Sequence, residues 1–183
     1  DGGINWKNIT PKQMPEWTMI NTIETSPFDP GTCYVAGTRY KLGDYTPYLY
    51  KTTDYGVTWK TITSGIAKED FTRVIRADPS RKGMLYAGTE NGIYVSYDDG
   101  NSWSTFQKNL PIVPITDLKI KENSLIVATQ GRSIWILDDL TVLHQMQSKK
   151  DGVENILYKP KQSFRTKGRG GESSLTAGTN LPN

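Results

Sequence analysis

Five carboxylates, Glu16, Asp44, Glu69, Asp70 and Glu90, lie in loop-like stretches of this 183-residue chain. Acids in such places can do general acid–base work. Cleavage of a glycosidic bond needs two of them, roughly 5–5.5 Å apart for retention or 6.5–9.5 Å for inversion. No pair is singled out by spacing. A second chemistry sets a tyrosine nucleophile beside arginines that hold a carboxylate. Arg39, Arg73, Arg76 and Arg132 with Tyr40 supply those residue types, but without a recognisable motif. The run Thr38-Arg39-Tyr40-Lys41-Leu42-Gly43-Asp44-Tyr45-Thr46-Pro47-Tyr48 sets aromatic rings among charged groups. Such a run suits stacking on a sugar, a protein hot spot, or a loop that simply packs on itself. Arg39, Tyr40, Asp44, Tyr45, Glu90 and Arg132 are thus candidate ligand-binding residues, and no catalytic residue is assigned.

Other chemistries find no support. His144 is the only histidine and Cys33 the only cysteine, so neither a Ser-His pair nor a Cys-based metal site can be assembled. Cys33 reads as a small core residue and His144 as a surface or linker histidine. No Gly-rich loop follows a strand and opens a helix, so no nucleotide cofactor is expected. No run of 18 apolar residues is present to span a membrane.

The positioning elements come from a repeat. One phrase occurs three times: Asp1-x-Gly3-x-Asn5-Trp6, Asp54-x-Gly56-x-Thr58-Trp59 and Asp98-x-Gly100-x-Ser102-Trp103. Its acids are 53 and 44 residues apart, a period that fits a propeller blade rather than a helical solenoid. Each phrase reads as a turn in which Asp accepts backbone N–H groups, Gly takes a positive φ, and Trp packs between blades. The aspartates are therefore structural rather than catalytic. Flanking runs also repeat: Ile23–Pro27, Tyr34–Thr38 and Tyr48–Thr52, then Ile75–Pro79, Leu85–Thr89 and Gly92–Ser96. A final unit runs through Ile115–Ile120, Leu125–Thr129 and Ser133–Asp138, with no phrase after it. These are strands A, B and C of each unit, with strand D expected at 58–63 and 102–107. The fold class is all-β, a β-propeller fragment of about three four-stranded blades followed by an irregular C-terminal linker.

In a four-stranded blade the A–B and C–D turns share one face, and the B–C and D–A loops share the other. The phrases are C–D turns, so Asp54 and Asp98 lie opposite the face that carries the candidate ligand residues. That face receives B–C loops near 38–48, 89–92 and 130–132, with D–A loops near 8–18, 64–71 and 107–114.

The three phrases, with Ile23–Pro27, Tyr48–Asp54 and Ala128–Asp139, resemble the Asp-box, or bacterial neuraminidase repeat, propellers. Within that group the chain is most similar to the sortilin-type propellers of bacterial exported proteins, often labelled glycosyl hydrolases. The resemblance covers roughly residues 1–145. It implies an extracytoplasmic location and the C-terminal blades of a longer propeller. The tail Gly178–Asn183 resembles a linker toward a C-terminal immunoglobulin-like domain. The rest of the ring is expected from elsewhere in the protein or from another chain, and the outer strand beside Ser133–Leu137 likewise.

Charge separates the two parts. Net charge is +3, but residues 149–183 hold seven basic residues against three acidic ones, leaving 15 basic and 16 acidic in the remainder. Residues 146–183 read as a basic Gly/Ser-rich linker, and the propeller has no basic stripe for nucleic acid. Two functions follow from the resemblance. One is a noncatalytic recognition propeller for a polypeptide or glycan. The other is a glycoside hydrolase of the xyloglucanase-like type.

Overall fold

Short runs of Val, Ile, Tyr and Thr, each closed by Gly, Pro or Asp, become the strands. The computed structural model describes residues 2–146 and 157–162. Strands β1 (Met19–Thr25), β2 (Cys33–Arg39), β3 (Asp44–Thr52) and β4 (Lys60–Thr61) form the first antiparallel sheet, in that order. The second contains β5 (Thr72–Ala77), β6 (Leu85–Thr89), β7 (Ile93–Ser96) and β8 (Ser104–Thr105). The third has three strands, β9 (Ile115–Lys121), β10 (Ser124–Thr129) and β11 (Ile134–Leu137). These are propeller blades. No described residue pairs with the outer edge of β11. Residues 141–146 form a helix, α1 (Thr141–Met146), not a strand. The outer strands β4 and β8 pair over two residues each, shorter than the runs expected, although Ile62 and Phe106 continue the ladder with single bonds to Leu49 and Ile93.

Register fixes which loops share a face. Thr25, Cys33 and Thr52 lie together at one end of the first blade; Met19, Thr38 and Tyr48 lie toward the other. The second blade repeats this, with Ala77, Leu85 and Ser96 at one end and Thr72 and Thr89 at the other. Register shifts in all three blades fall at the B–C end: Ile20/Thr22, Thr72/Val74 and Ala128/Thr129. Bulges there bend the strands and re-aim their side chains.

The second blade is apolar on both faces. Ile75, Ala77, Leu85, Ala87 and Tyr94 meet Tyr34, Leu49, Ile62 and Trp103 in one core cluster. Val74, Tyr86, Ile93 and Val95 meet Ile115, Leu118, Leu125 and Val127 in another. Alternate residues of one strand point to opposite faces, so each blade contributes to two cores.

The repeated turns have one geometry. Thr52 Oγ1 donates to Asp54 Oδ1 at 2.8 Å, Gly56 N donates to Thr52 Oγ1 at 2.9 Å, and Thr58 N and Oγ1 donate to Asp54 at 2.8 and 2.5 Å. Ser96, Asp98, Gly100 and Ser102 repeat the set. Two successive residues take positive φ, Tyr55 and Gly56 (58° and 83°), then Asp99 and Gly100 (62° and 84°). Trp103 Nε1 reaches back to the first blade, donating to Ile62 O beside β4 at 2.7 Å, and Trp59 Nε1 donates in the same way to Ile9 O at 2.8 Å. The acceptor lies three residues beyond the tryptophan of the preceding phrase. Trp6 departs from the expected packing. It is 90% exposed and donates to Gly3 O within its own turn, because no described blade lies beside it. Asp1 falls outside the described residues, as does most of the expected linker.

Polar ties join the blades. Arg76 donates to Leu118 O at 2.8 Å and pairs with Glu24 at 3.3 Å and Asp117 at 2.7 Å, linking β5 to β1 and β9. At the turn end, Tyr34 and Lys51 both donate to Asp99. At the B–C end, Thr72 Oγ1 accepts from Tyr48 N at 3.1 Å and lies within bonding distance of Gly37 O. His144 is not the surface residue expected. Its Nε2 lies 2.8 Å from Oδ2 of the buried Asp78, and Leu140 and Leu143 carry α1 into the core. Asp139 caps α1 through Thr141 N at 2.9 Å. Cys33 is half-buried, and burial raises its thiol pKa. No described helix is long and apolar enough to cross a membrane.

Two outcomes follow for the turns. Replacing Ser96 by Ala leaves the buried Gly100 N–H without its acceptor and should lower unfolding free energy by about 1–3 kcal/mol in denaturant titrations. Bonds from the Thr58 side chain and backbone hold the Asp54 carboxyl down at about 2. Burial pushes the Asp98 carboxyl up, but bonds from Ser102 and Ser96 outweigh it and the net direction is down. Because the unfolded value is about 3.9, this support is present above about pH 4 and disappears as pH falls toward 2. Replacing both aspartates by Asn should therefore flatten the acid limb of stability against pH; an unchanged limb would contradict the assignment.

Candidate functional site

Several polar groups of the first B–C loop bond to one another. Tyr40–Leu42 form one 3₁₀ turn closed by Gly43. Arg39 Nη1 donates to Asp44 Oδ2 at 2.6 Å, Tyr48 Oη donates to the same oxygen at 2.7 Å, and Thr46 N donates to Oδ1 at 3.0 Å. Burial works to raise the Asp44 pKa, yet the bonds from Tyr48, Thr46 and Arg39 win and hold it at about 2. Asp44 is thus an anionic brace for its own loop.

That brace presents two rings to the next blade. Tyr40 stacks on Phe71 with centroids 5.1 Å apart and planes 12° apart, and Tyr45 leans on Phe71 at 6.0 Å. The Arg73 guanidinium lies 5.6 Å from the Tyr40 centroid and 5.1 Å from that of Phe71. It is held there by Glu90, with Arg73 Nε donating to Oε2 at 2.7 Å. Glu90 N in turn donates to Phe71 O at 3.2 Å. Beside it the buried Asp70 accepts from Asn91 N and Nδ2 at 3.2 and 3.1 Å.

Of the residues expected at a site, Arg39, Tyr40, Asp44, Tyr45 and Glu90 therefore belong to one connected group that joins the first two blades. Tyr45 is 51% exposed. Arg132 stands apart: it is exposed, its carbonyl accepts from Trp135 Nε1 at 2.8 Å, and its guanidinium bonds to no described residue. Glu16 and Glu69 are exposed, while Asp54 and Asp98 lie at the opposite end. Phe71 was missed by reading the sequence, since nothing local marks a ring that matters through its contact with another blade. Trp17 was also missed, although an aromatic residue in a Pro-rich loop is a visible signal. Trp17, Met19, Tyr40 and Leu42, with Thr38, Arg39 and Lys41, line a hollow of about 220 Å³ beside the ring cluster. No described cluster of three or more His, Cys, Asp or Glu residues suits a metal ion.

A scan of protein families finds no model that matches this chain. The xyloglucanase Xgh74A of Acetivibrio thermocellus is 32% identical to it over 105 residues, which is 50% of this chain and 12% of that protein. The GH74 enzyme of Niastella koreensis superposes with a TM-score of 0.52 at 16% identity, over 66% of this chain and 21% of that one. YCF48 bound to D1 peptide superposes with a TM-score of 0.52 at 19% identity, over 75% of this chain and 42% of that one. The chain thus spans about an eighth of the curated relative and less than half of either solved structure. What it shares with the two structures is the β-propeller fold.

Proposed function

We propose that this chain is part of a noncatalytic recognition propeller that binds a polypeptide or a glycan through its B–C and D–A loops. The supporting observation is the ring cluster of Tyr40, Tyr45 and Phe71 under Arg73, held across two blades by the Arg73–Glu90 pair. The partly exposed rings of Tyr40 and Tyr45, packed on the buried Phe71, lose little conformational freedom when a ligand arrives. The three turns are read as Asp boxes, and the location as extracytoplasmic, in line with the sortilin-type resemblance. Ile20 and Ile23 on β1 and Ile134 and Ile136 on β11 are exposed at the two ends of the arc. Further blades, from the remainder of the protein or from another chain, cover those apolar faces.

A glycoside hydrolase of the xyloglucanase-like type is the second reading, favoured by the name of the 32% identical relative. Against it, Asp44 and Glu90 are both committed to arginines, and Asp70 is buried against Asn91. Of the five candidate acids, that leaves the exposed Glu16 and Glu69 outside the bracing pairs. Titration of the chain with peptides and with xyloglucan oligosaccharides separates the readings. Tyr45→Ala should weaken binding by about 1–3 kcal/mol while leaving the melting temperature almost unchanged. Release of reducing ends from xyloglucan would instead favour the enzyme.

A further inference from the structure

The two ends of the arc are complementary. Residues 7–9 take the place of an outer strand beside the first blade, although no inner strands accompany them among the described residues. Ile9 O accepts from Trp59 Nε1 as Ile62 O accepts from Trp103 Nε1. A Cβ at Gly56 would lie 2.6 Å from Ile9 Cδ1, and one at Gly100 would lie 2.8 Å from Ile62 Cδ1. Ile9 thus stands to the first blade as Ile62 stands to the second. At the far end, β9, β10 and β11 form a sheet whose outer edge has no described partner. One end carries an outer strand without its sheet, and the other a sheet without its outer strand.

The far end also holds an empty seat for a tryptophan. Trp103 shares a core cluster with Ile62, Ile66, Leu85, Ala87 and Tyr94. One blade on, pairing register and spacing place Phe106, Leu110, Leu125, Val127 and Trp135 at the corresponding positions. All five line one open hollow. No phrase follows β11 to fill it, whereas the Trp6 indole is 90% exposed. Charge agrees with this match. Glu24, Arg76 and Lys119 occupy one level of β1, β5 and β9, and Glu24 pairs with Arg76 between the first two blades. Lys119 is exposed and pairs with no described carboxylate, so a blade beginning like the first would offer it a second Glu24.

We propose that two copies of this chain close one six-bladed ring, each lending residues 7–9 to the other as the outer strand of its third blade. Of the two sources named above for the rest of the ring, this selects another chain, and it leaves open what the ring binds. The register follows from the blades already complete. Phe106 N donates to Ile93 O at 2.7 Å, so Ile9 N donates to Ile134 O of the second copy. Trp6 then fills the hollow, and its Nε1 reaches Phe106 O, three residues beyond Trp103 as Ile62 is beyond Trp59. The exposed Ile20 and Ile23 of one copy come against Ile134 and Ile136 of the other, which removes both apolar end faces from water. Three blades cover half a turn, so the head-to-tail contact occurs twice and closes.

Sedimentation velocity over a concentration series tests this on the chain itself. The expected species has twice the 20.5 kDa mass of one chain. Trp6→Ala and Ile136→Asp should each weaken dimerisation by about tenfold or more. Both side chains are exposed in a single copy, so the melting temperature of the dilute monomer should hardly move. The register places residue 7 opposite residue 136 of the second copy, within reach of a disulfide. In a Cys33→Ala background, chains carrying Lys7→Cys mixed with chains carrying Ile136→Cys should cross-link on oxidation, and neither should cross-link alone. A chain that stays monomeric at every concentration, or that forms an open series of larger species, would overturn the closed ring. A dimer that fails to cross-link at this register, or that ignores Trp6→Ala, would overturn the shared blade.

Discussion

The β5–β8 sheet is apolar on both faces, and a four-stranded sheet of that kind is stable only when both faces are covered. Each Ile, Leu or Val that it buries contributes about 1.5–3 kcal/mol, and its residues divide between two cores. Much else in the arc answers to that requirement. The Trp103 indole bonds to Ile62 O at the outer strand of the first blade and so ties the second blade to it. Arg76 adds a polar tie on the inner strands, where one guanidinium meets groups from both adjoining blades.

This stacking also builds the candidate site, which belongs to no single blade. Tyr40 and Tyr45 come from the first B–C loop, whereas Phe71 and Arg73 come from the entry to the second blade, and Glu90 from its B–C loop. Rotation of one blade against the next would separate the rings. Thr72 resists it at the same end, bonding across to the backbone of Tyr48 beside Gly37. The surface is therefore organised before any ligand arrives, and its acids are largely committed to bracing it. Carboxylates tied to arginines in this way are suited to positioning rings more than to transferring protons.

The two ends of the blades divide the work. At the turn end, hydrogen bonds are close to saturated: Asp54 and Asp98 take the N–H and O–H groups of their own turns, Asp99 takes Tyr34 and Lys51, and Asp78 takes His144. At the B–C end stand the strand irregularities, the strained Trp17 and the unpaired Thr38 Oγ1.

Repetition is what made the blades legible from the residues alone. A phrase such as Asp98-x-Gly100-x-Ser102-Trp103 holds its own donors, acceptors and positive-φ glycine within six residues, so its turn and the strands around it are decided locally. The missing phrase after Trp135 likewise agrees with β11 having no partner at its outer edge among the described residues. Other features depend on distant partners. Trp6 carries the same local signal as Trp103, yet it is exposed because an indole is buried only where another blade lies beside it. His144 found the buried Asp78, 66 residues away. Arg39 and Asp44 were marked as ligand groups by type, but folding pairs them with each other. Arg132, marked in the same way, stays outside the cluster. Sequence determined the turns, the strands and which loops share a face, because those follow from short-range hydrogen bonding and a two-residue alternation. Tertiary structure alone decided which rings meet, which charges are neutralised and which polar atoms remain free, because those depend on distances between blades.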